Sequence, residues 1–70
     1  MTQPTFLMQN YWTACRARGD KPKKIYGLVS RGGEQPPGYV LAWSTYAPDI
    51  ARRLDARGDP QNWQIEEFLP

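Results

Sequence analysis

A chain of 70 residues with 40% hydrophobic and 23% charged residues, three tryptophans and no histidine describes one small folded domain over residues 1–70. Its core must be thin, because a chain this short buries only about 60% of its unfolded surface. The single cysteine, Cys15, excludes an internal disulfide and favours a reducing, cytoplasmic setting. No apolar run approaches the roughly 20 residues of a bilayer span, and the first residues hold no basic-then-apolar leader, so neither membrane insertion nor export is expected. The net charge of +2 is uneven: residues 1–35 carry six Lys/Arg against two acids, and residues 36–70 carry three against five. Such polarity speaks to the sign of a partner surface.

In PTFLMQNYWTACRARGD the apolar Leu7, Met8, Tyr11, Trp12 and Cys15 recur in pairs among polar residues, a helical period bounded by Pro4 and Gly19, with Arg16 and Arg18 at the negative end of the helix dipole. The competing assignment makes Tyr11–Arg18 a strand that turns through GDKP, since Tyr, Trp, Thr and Cys tolerate extended backbone. KKIYGLVSR reads as a strand, with Ile25, Gly27 and Val29 on one side and Lys24, Tyr26, Leu28 and Ser30 on the other. RGGEQPPG then bends the chain before GYVLAWS resumes an extended run, which predicts a hairpin with a long loop.

A second helix comes next. Thr45 or Ala47 supplies the cap region, Pro48 fits the first turn, and Asp49 suits the positive dipole end. Ile50, Ala51 and Leu54 make a narrow apolar stripe, with Arg52, Arg53, Asp55 and Arg57 outward. Gly58 is expected to close the helix in the left-handed conformation, with Pro60 preventing continuation. NWQIEEF alternates Trp63 and Ile65 inward against Gln64 and Glu66, as a half-buried strand does. The expected fold is α+β: a small two-layer domain in the order α-β-β-α-β, with two helices on one face of an antiparallel three-stranded sheet. Trp43 and Trp63 are expected to fill the interior. The opposite face, carrying Lys24, Tyr26, Leu28, Val40, Ala42, Gln64 and Glu66, would then be bare.

Ala-Arg-Gly-Asp occurs at 17–20 and at 56–59. Both copies fall where a helix should stop and their flanks differ, so shared use of Gly as a terminator accounts for them better than an internal repeat. The Arg-Gly-Asp triplet also invites an integrin-binding interpretation, which needs an exported chain with the triplet on a loop tip.

The absence of histidine removes the commonest general base and metal ligand. Cys15 beside Arg16 and Arg18 is better explained as a buried structural thiol than as a nucleophile. Glu66 and Glu67, adjacent on a strand, point to opposite faces. No zinc, calcium or phosphate-loop spacing occurs. A non-enzyme without a cofactor is expected. Its candidate partner-binding residues are Arg16, Arg18, Lys21, Lys23, Lys24, Tyr26, Leu28 and Arg31, basic groups beside an aromatic, equipped for phosphate or for an acidic protein surface. A solvated basic edge that guards a strand against pairing explains the same lysines.

With its strand-first assignment, the run Tyr11–Ala56 resembles the three strands and helix of AP2-type and integrase arm-type DNA-binding domains. The points of similarity are YWTACRAR, KKIYGLV and LAWSTYAPDIARRLDA. The resemblance implies a sheet that contacts DNA, and the strand at Trp63–Phe68 lies outside it.

A chain of this size acts through its surface. The function expected is a protein-interaction module of the kind encoded by phages and mobile elements, such as anti-CRISPR proteins and other inhibitors of host machinery. It would bind a protein or ribonucleoprotein complex, with a small DNA- or RNA-binding module as the alternative and a dimer also open.

Overall fold

In the computed structural model, which describes residues 2–70, the elements run α1 (Phe6–Ala17), β1 (Ile25–Ser30), β2 (Val40–Ser44), α2 (Ala47–Asp55), a 3-10 turn (Pro60–Asn62) and β3 (Trp63–Phe68). The expected α-β-β-α-β order of a small α+β domain is the order found. Residues 6–17 are helical, so the strand-first assignment of Tyr11–Arg18 fails, and the resemblance to AP2-type and integrase arm-type domains fails with it.

Helix α1 starts at Thr5, whose hydroxyl accepts the Met8 N–H at 3.2 Å, a cap of the kind worth about 1 kcal/mol. Met8, Trp12 and Cys15, spaced by four and three residues, bring one face to the core. Leu7, expected in that stripe, is 63% exposed. Gly19, at φ +79°, reverses the chain after the helix. The return segment is then pinned by Trp12, whose indole Nε1–H donates to the Lys23 carbonyl at 2.9 Å.

The sheet order is β2-β1-β3, antiparallel throughout, with Leu28 opposite Ala42 on one side and Ile65 on the other. β2 and β3 therefore run in the same direction on either side of β1, and α2 crosses between them. The long hairpin loop is tied by the buried Ser30. Its hydroxyl accepts the Gly32 N–H at 3.1 Å and lies 3.1 Å from the Gly32 carbonyl and 3.0 Å from the Gln35 carbonyl.

The layers differ from the expectation. Met8 and Trp12 of α1 pack with Ile25, Val29 and Phe68, whereas Ile50 of α2 packs with Leu28 and Trp63. Successive residues of a strand point to opposite faces, so the helices lie on opposite faces and the sheet is sandwiched between them in three layers. The cause is β1 itself. It sends Ile25 and Val29 to one side and Leu28 to the other, and each set needs an apolar cover. The face expected to be bare does not exist: Tyr26, Leu28 and Ala42 lie against α2, while Val40 packs with the α1 cluster. Gln64 and Glu66, opposite Val29 and Gly27, share that α1 side.

A bulge explains Val40. Leu28 pairs with Ala42 but Val29 pairs with Val40, so Leu41 is an extra residue. An extra residue breaks the alternation of side chains. Val40 turns to α1, Ala42 to α2, and Leu41 comes to lie beside Leu28 at the flank of α2.

The tryptophans divide accordingly. Trp12 and Trp63 are buried, whereas Trp43 is half-buried on the α1 side, its ring edge-on to Tyr11 at 6.0 Å. The expectation that Trp43 and Trp63 share one interior is therefore corrected: they stand on opposite sides of the sheet. Gly27 permits the α1 side to close, since a Cβ there would lie 2.7 Å from Phe68 Cε2, within the ring that crosses the central strand.

Candidate binding surface

The residues expected to form one basic surface are separated by the fold. Arg16 and Arg18 end α1, and Lys21, Lys23 and Lys24 lie on the segment returning to β1. With Tyr11, Cys15 and Asp20, the side chains of Arg18, Lys21 and Lys23 line a shallow hollow of about 460 Å³. Arg31 stands beyond the other end of β1, roughly 23 Å from Lys24 by strand rise. Leu28 is fully buried under α2 and offers nothing to a partner. Tyr26 is half-buried on the α2 side, with the Lys24 ammonium 6.0 Å from its ring centroid.

Ion pairing reduces the charge of the basic end. Arg18 Nε donates to Asp20 at 3.1 Å and Lys24 lies 3.5 Å from Glu67, both pairs being exposed. Arg18 also reaches Cys15 Sγ at 3.6 Å. The Asp20 hydrogen bond holds the Arg18 guanidinium above its ordinary value. On the other wall of the hollow, the neighbouring Cys15 thiol holds the Tyr11 phenol above its usual range. Among the described residues, Arg16, Lys21 and Lys23 have no carboxylate partner within ion-pair distance.

The two Ala-Arg-Gly-Asp segments share one side-chain bond. In each, the Arg Nε donates to the Asp carboxylate two residues on, at 3.1 Å for Arg18–Asp20 and 3.1 Å for Arg57–Asp59. Each triplet thus spends its Arg and Asp on one another. The second goes further: Trp63 Nε1–H donates to the other Asp59 oxygen at 3.1 Å, and the Arg57 guanidinium stacks 4.5 Å over the Trp63 ring. The Trp63 hydrogen bond, aided by Arg57, holds the Asp59 carboxyl below the usual carboxylate range. Gly58 is not left-handed, unlike Gly19; α2 ends on Ala56 in the helical region, and the Arg57–Asp59–Trp63 assembly ties the end of the helix to β3.

A second surface was not anticipated. Between β2 and the outer flank of α2 run two adjoining hollows, one of about 360 Å³ bounded by Leu28, Leu41, Arg53, Ala56, Arg57 and Gly58. The other, of about 530 Å³, is bounded by Trp43, Ser44, Asp49, Arg52, Arg53 and Ala56. Arg53 and Ala56 belong to both, so the hollows form one groove. Its upper end is fixed by Ser44, whose hydroxyl accepts the Tyr46 N–H at 3.0 Å and donates to Asp49 at 3.2 Å. The N-cap is Tyr46, which makes no side-chain cap bond, rather than the expected Thr45 or Ala47. Arg52 is held by Asp49 at 2.6 Å and Arg57 by Asp59, which leaves Arg53 exposed and without an ion-pair partner among the described residues. GYVLAWS is apolar at nearly every position, and that run is the one sequence signal that β2 has side chains to spare beyond a single buried face.

Comparison with protein-family models, with curated proteins and with solved structures found no match to this chain. Among the described residues, no helix is long and apolar enough to cross a membrane.

Proposed function

We propose that the protein is a non-enzymatic interaction module that binds a larger protein or ribonucleoprotein complex and blocks it, in the manner of the small inhibitors encoded by phages and mobile elements, anti-CRISPR proteins among them. The observation that carries the protein-binding reading is the β2–α2 groove. It has an apolar floor of Leu41 and Ala56 under a rim of arginines, and Leu41 remains 43% exposed on an edge strand. Apolar-centred, arginine-rimmed surfaces are enriched at protein interfaces. Blocking is a consequence of size: a domain of 70 residues seated on a larger complex acts by occupying surface.

A second reading, a nucleic-acid-binding module, is favoured by one feature: Lys21 and Lys23, without an ion-pair partner among the described residues, line one hollow with Tyr11. Capture from a host lysate, with and without nuclease, separates the two. Binding a protein, the module retains its target after nuclease treatment, and replacing Lys21, Lys23 and Lys24 by alanine mainly slows association. Nanomolar binding to duplex DNA at physiological salt overturns the protein reading if the triple variant loses it and if log affinity falls with log salt by about 0.9 per phosphate neutralised.

A further inference from the structure

The groove borders an open sheet edge, and the backbone hydrogen bonds determine which groups that edge presents. At the end of β1 the Ser30 N–H donates to the Tyr39 carbonyl on the β2 side, and the Arg31 N–H donates to the Asn62 carbonyl on the β3 side. Alternation along β1 then directs Leu28 and Tyr26 toward β2, where they face Ala42 and Ser44. The residue between those two partners is Trp43, opposite Gly27. Its N–H and C=O point away from the sheet.

Edge strands are ordinarily guarded by lysine, proline, an inward charge or a covering element. Val40–Ser44 reads VLAWS and has no charged residue and no proline. The bulge at Leu41 shortens the pairing edge, and it also delivers the Leu41 side chain to the α2 flank, directly beside the open backbone.

We propose that this edge takes an extended acidic-apolar segment of a partner protein as a fourth strand. One apolar side chain of the segment lies over Leu41 in the groove, and an Asp or Glu two residues away reaches Arg53. The proposal rests on the protein-binding reading above and specifies its chemistry. Each part of the occupant answers a feature of the site. The outward N–H and C=O of Trp43 call for another backbone in extended form. The apolar floor beside Leu41 calls for an aliphatic side chain. The unpaired Arg53 calls for a carboxylate, and the i, i+2 spacing of one strand face, about 6.7 Å, sets the separation of the two side chains. A second copy of this chain paired β2 to β2 meets this requirement poorly, because it brings arginine-rimmed flanks together.

The test is selection of displayed random ten-residue peptides on the immobilised full chain, with mapping of the amide resonances of the chain on titration with the selected peptide. The expected peptides alternate aliphatic or β-branched residues with at least one Asp or Glu, and they shift the amides of Leu41, Ala42 and Trp43. Arg53→Glu is expected to weaken binding by about tenfold or more, the size of one charge-assisted hydrogen bond, and replacing the peptide acid by lysine restores it. Leu41→Asn weakens binding similarly while the melting curve shows that the variant is folded. Peptides that map to the Lys21–Lys24 end overturn this site and leave the protein-binding reading standing. Absence of any selected peptide overturns the site, and together with tight, salt-steep binding of a duplex oligonucleotide it overturns both. A dimer in sedimentation whose interface covers Trp43 also overturns the proposal, because β2 is then taken by a second copy.

Discussion

The two faces of the sheet are built differently. On the α1 side, Met8 and Trp12 close over Ile25, Val29 and Phe68, with Tyr11, Val40 and Trp43 packed around them. On the α2 side, a nine-residue helix buries one residue fully, Ile50, over Leu28 and Trp63, and an open groove remains along its outer flank. The α1 side gathers the larger set of buried apolar side chains, and the α2 side leaves apolar and cationic groups within reach of a partner. A sheet this small has few residues to divide between folding and binding, and here the division tracks the two faces of β1.

The two faces differ most at the tryptophans. Trp12→Ala removes a buried ring and the hydrogen bond that holds the Lys23 carbonyl, and Trp63→Ala removes the ring on which Arg57 stacks. Each should cost about 3–5 kcal/mol in urea denaturation, enough to unfold much of a domain this size. Trp43→Ala, half-buried at the rim of the α1 side, should cost clearly less. Equal losses for Trp12 and Trp43 would contradict the packing described.

Gly27→Ala probes how tightly the α1 side is closed. The new methyl must displace the Phe68 ring, a steric insertion of the type that costs about 1–3 kcal/mol, and chemical denaturation measures it directly. No loss would show that the ring swings aside freely. On the α2 side, Leu41→Asn and Arg53→Glu should change stability by no more than about 0.5 kcal/mol, whichever partner they affect, because both side chains border solvent. A large loss at either would mean that the groove is part of the core.

The smallest effect expected is electrostatic. The Asp59 carboxyl is held below its ordinary value by the Trp63 indole and Arg57, so its ionised form favours the folded state. That contribution is fully present above the unfolded carboxyl value of about 3.9 and is lost as pH falls through the lower folded value. Asp59→Asn should therefore flatten the acid side of the stability profile while leaving its slope near neutrality unchanged. An unchanged acid limb would show that the carboxylate is indifferent to Trp63.

Much of the fold was legible because its signals are local. The Met8–Trp12–Cys15 spacing, the glycine- and proline-rich loop, Pro48 with Asp49, and the two-sided pattern of β1 each have one structural consequence. The placement of the helices was not legible from those signals. It depends on which apolar set each helix covers, a long-range choice, although the apolar residues on both sides of IYGLV already mark a strand buried on two faces. The bulge at Leu41 defeated the alternation assumed for β2, and the groove depends on that bulge. The basic residues were found individually, but their division between the two ends of β1, and the loss of Arg18 and Lys24 to neighbouring acids, are set by the chain path. Gly58 shows the same limit: its flanking residues match those of Gly19, yet it is not left-handed, and the bond from the Trp63 indole to Asp59, a contact the first segment lacks, comes from β3.

Native-state amide hydrogen exchange tests the division between the two faces most directly, because it reports the opening free energy of each element within the intact protein. The amides of β1 and of the Met8–Ala17 part of α1 should exchange only through global unfolding. Those of α2 should open at a lower free energy, and the outward Trp43 amide should exchange faster than the Ala42 and Ser44 amides, which face β1. Protection of α2 and of the Trp43 amide equal to that of α1 would contradict the account.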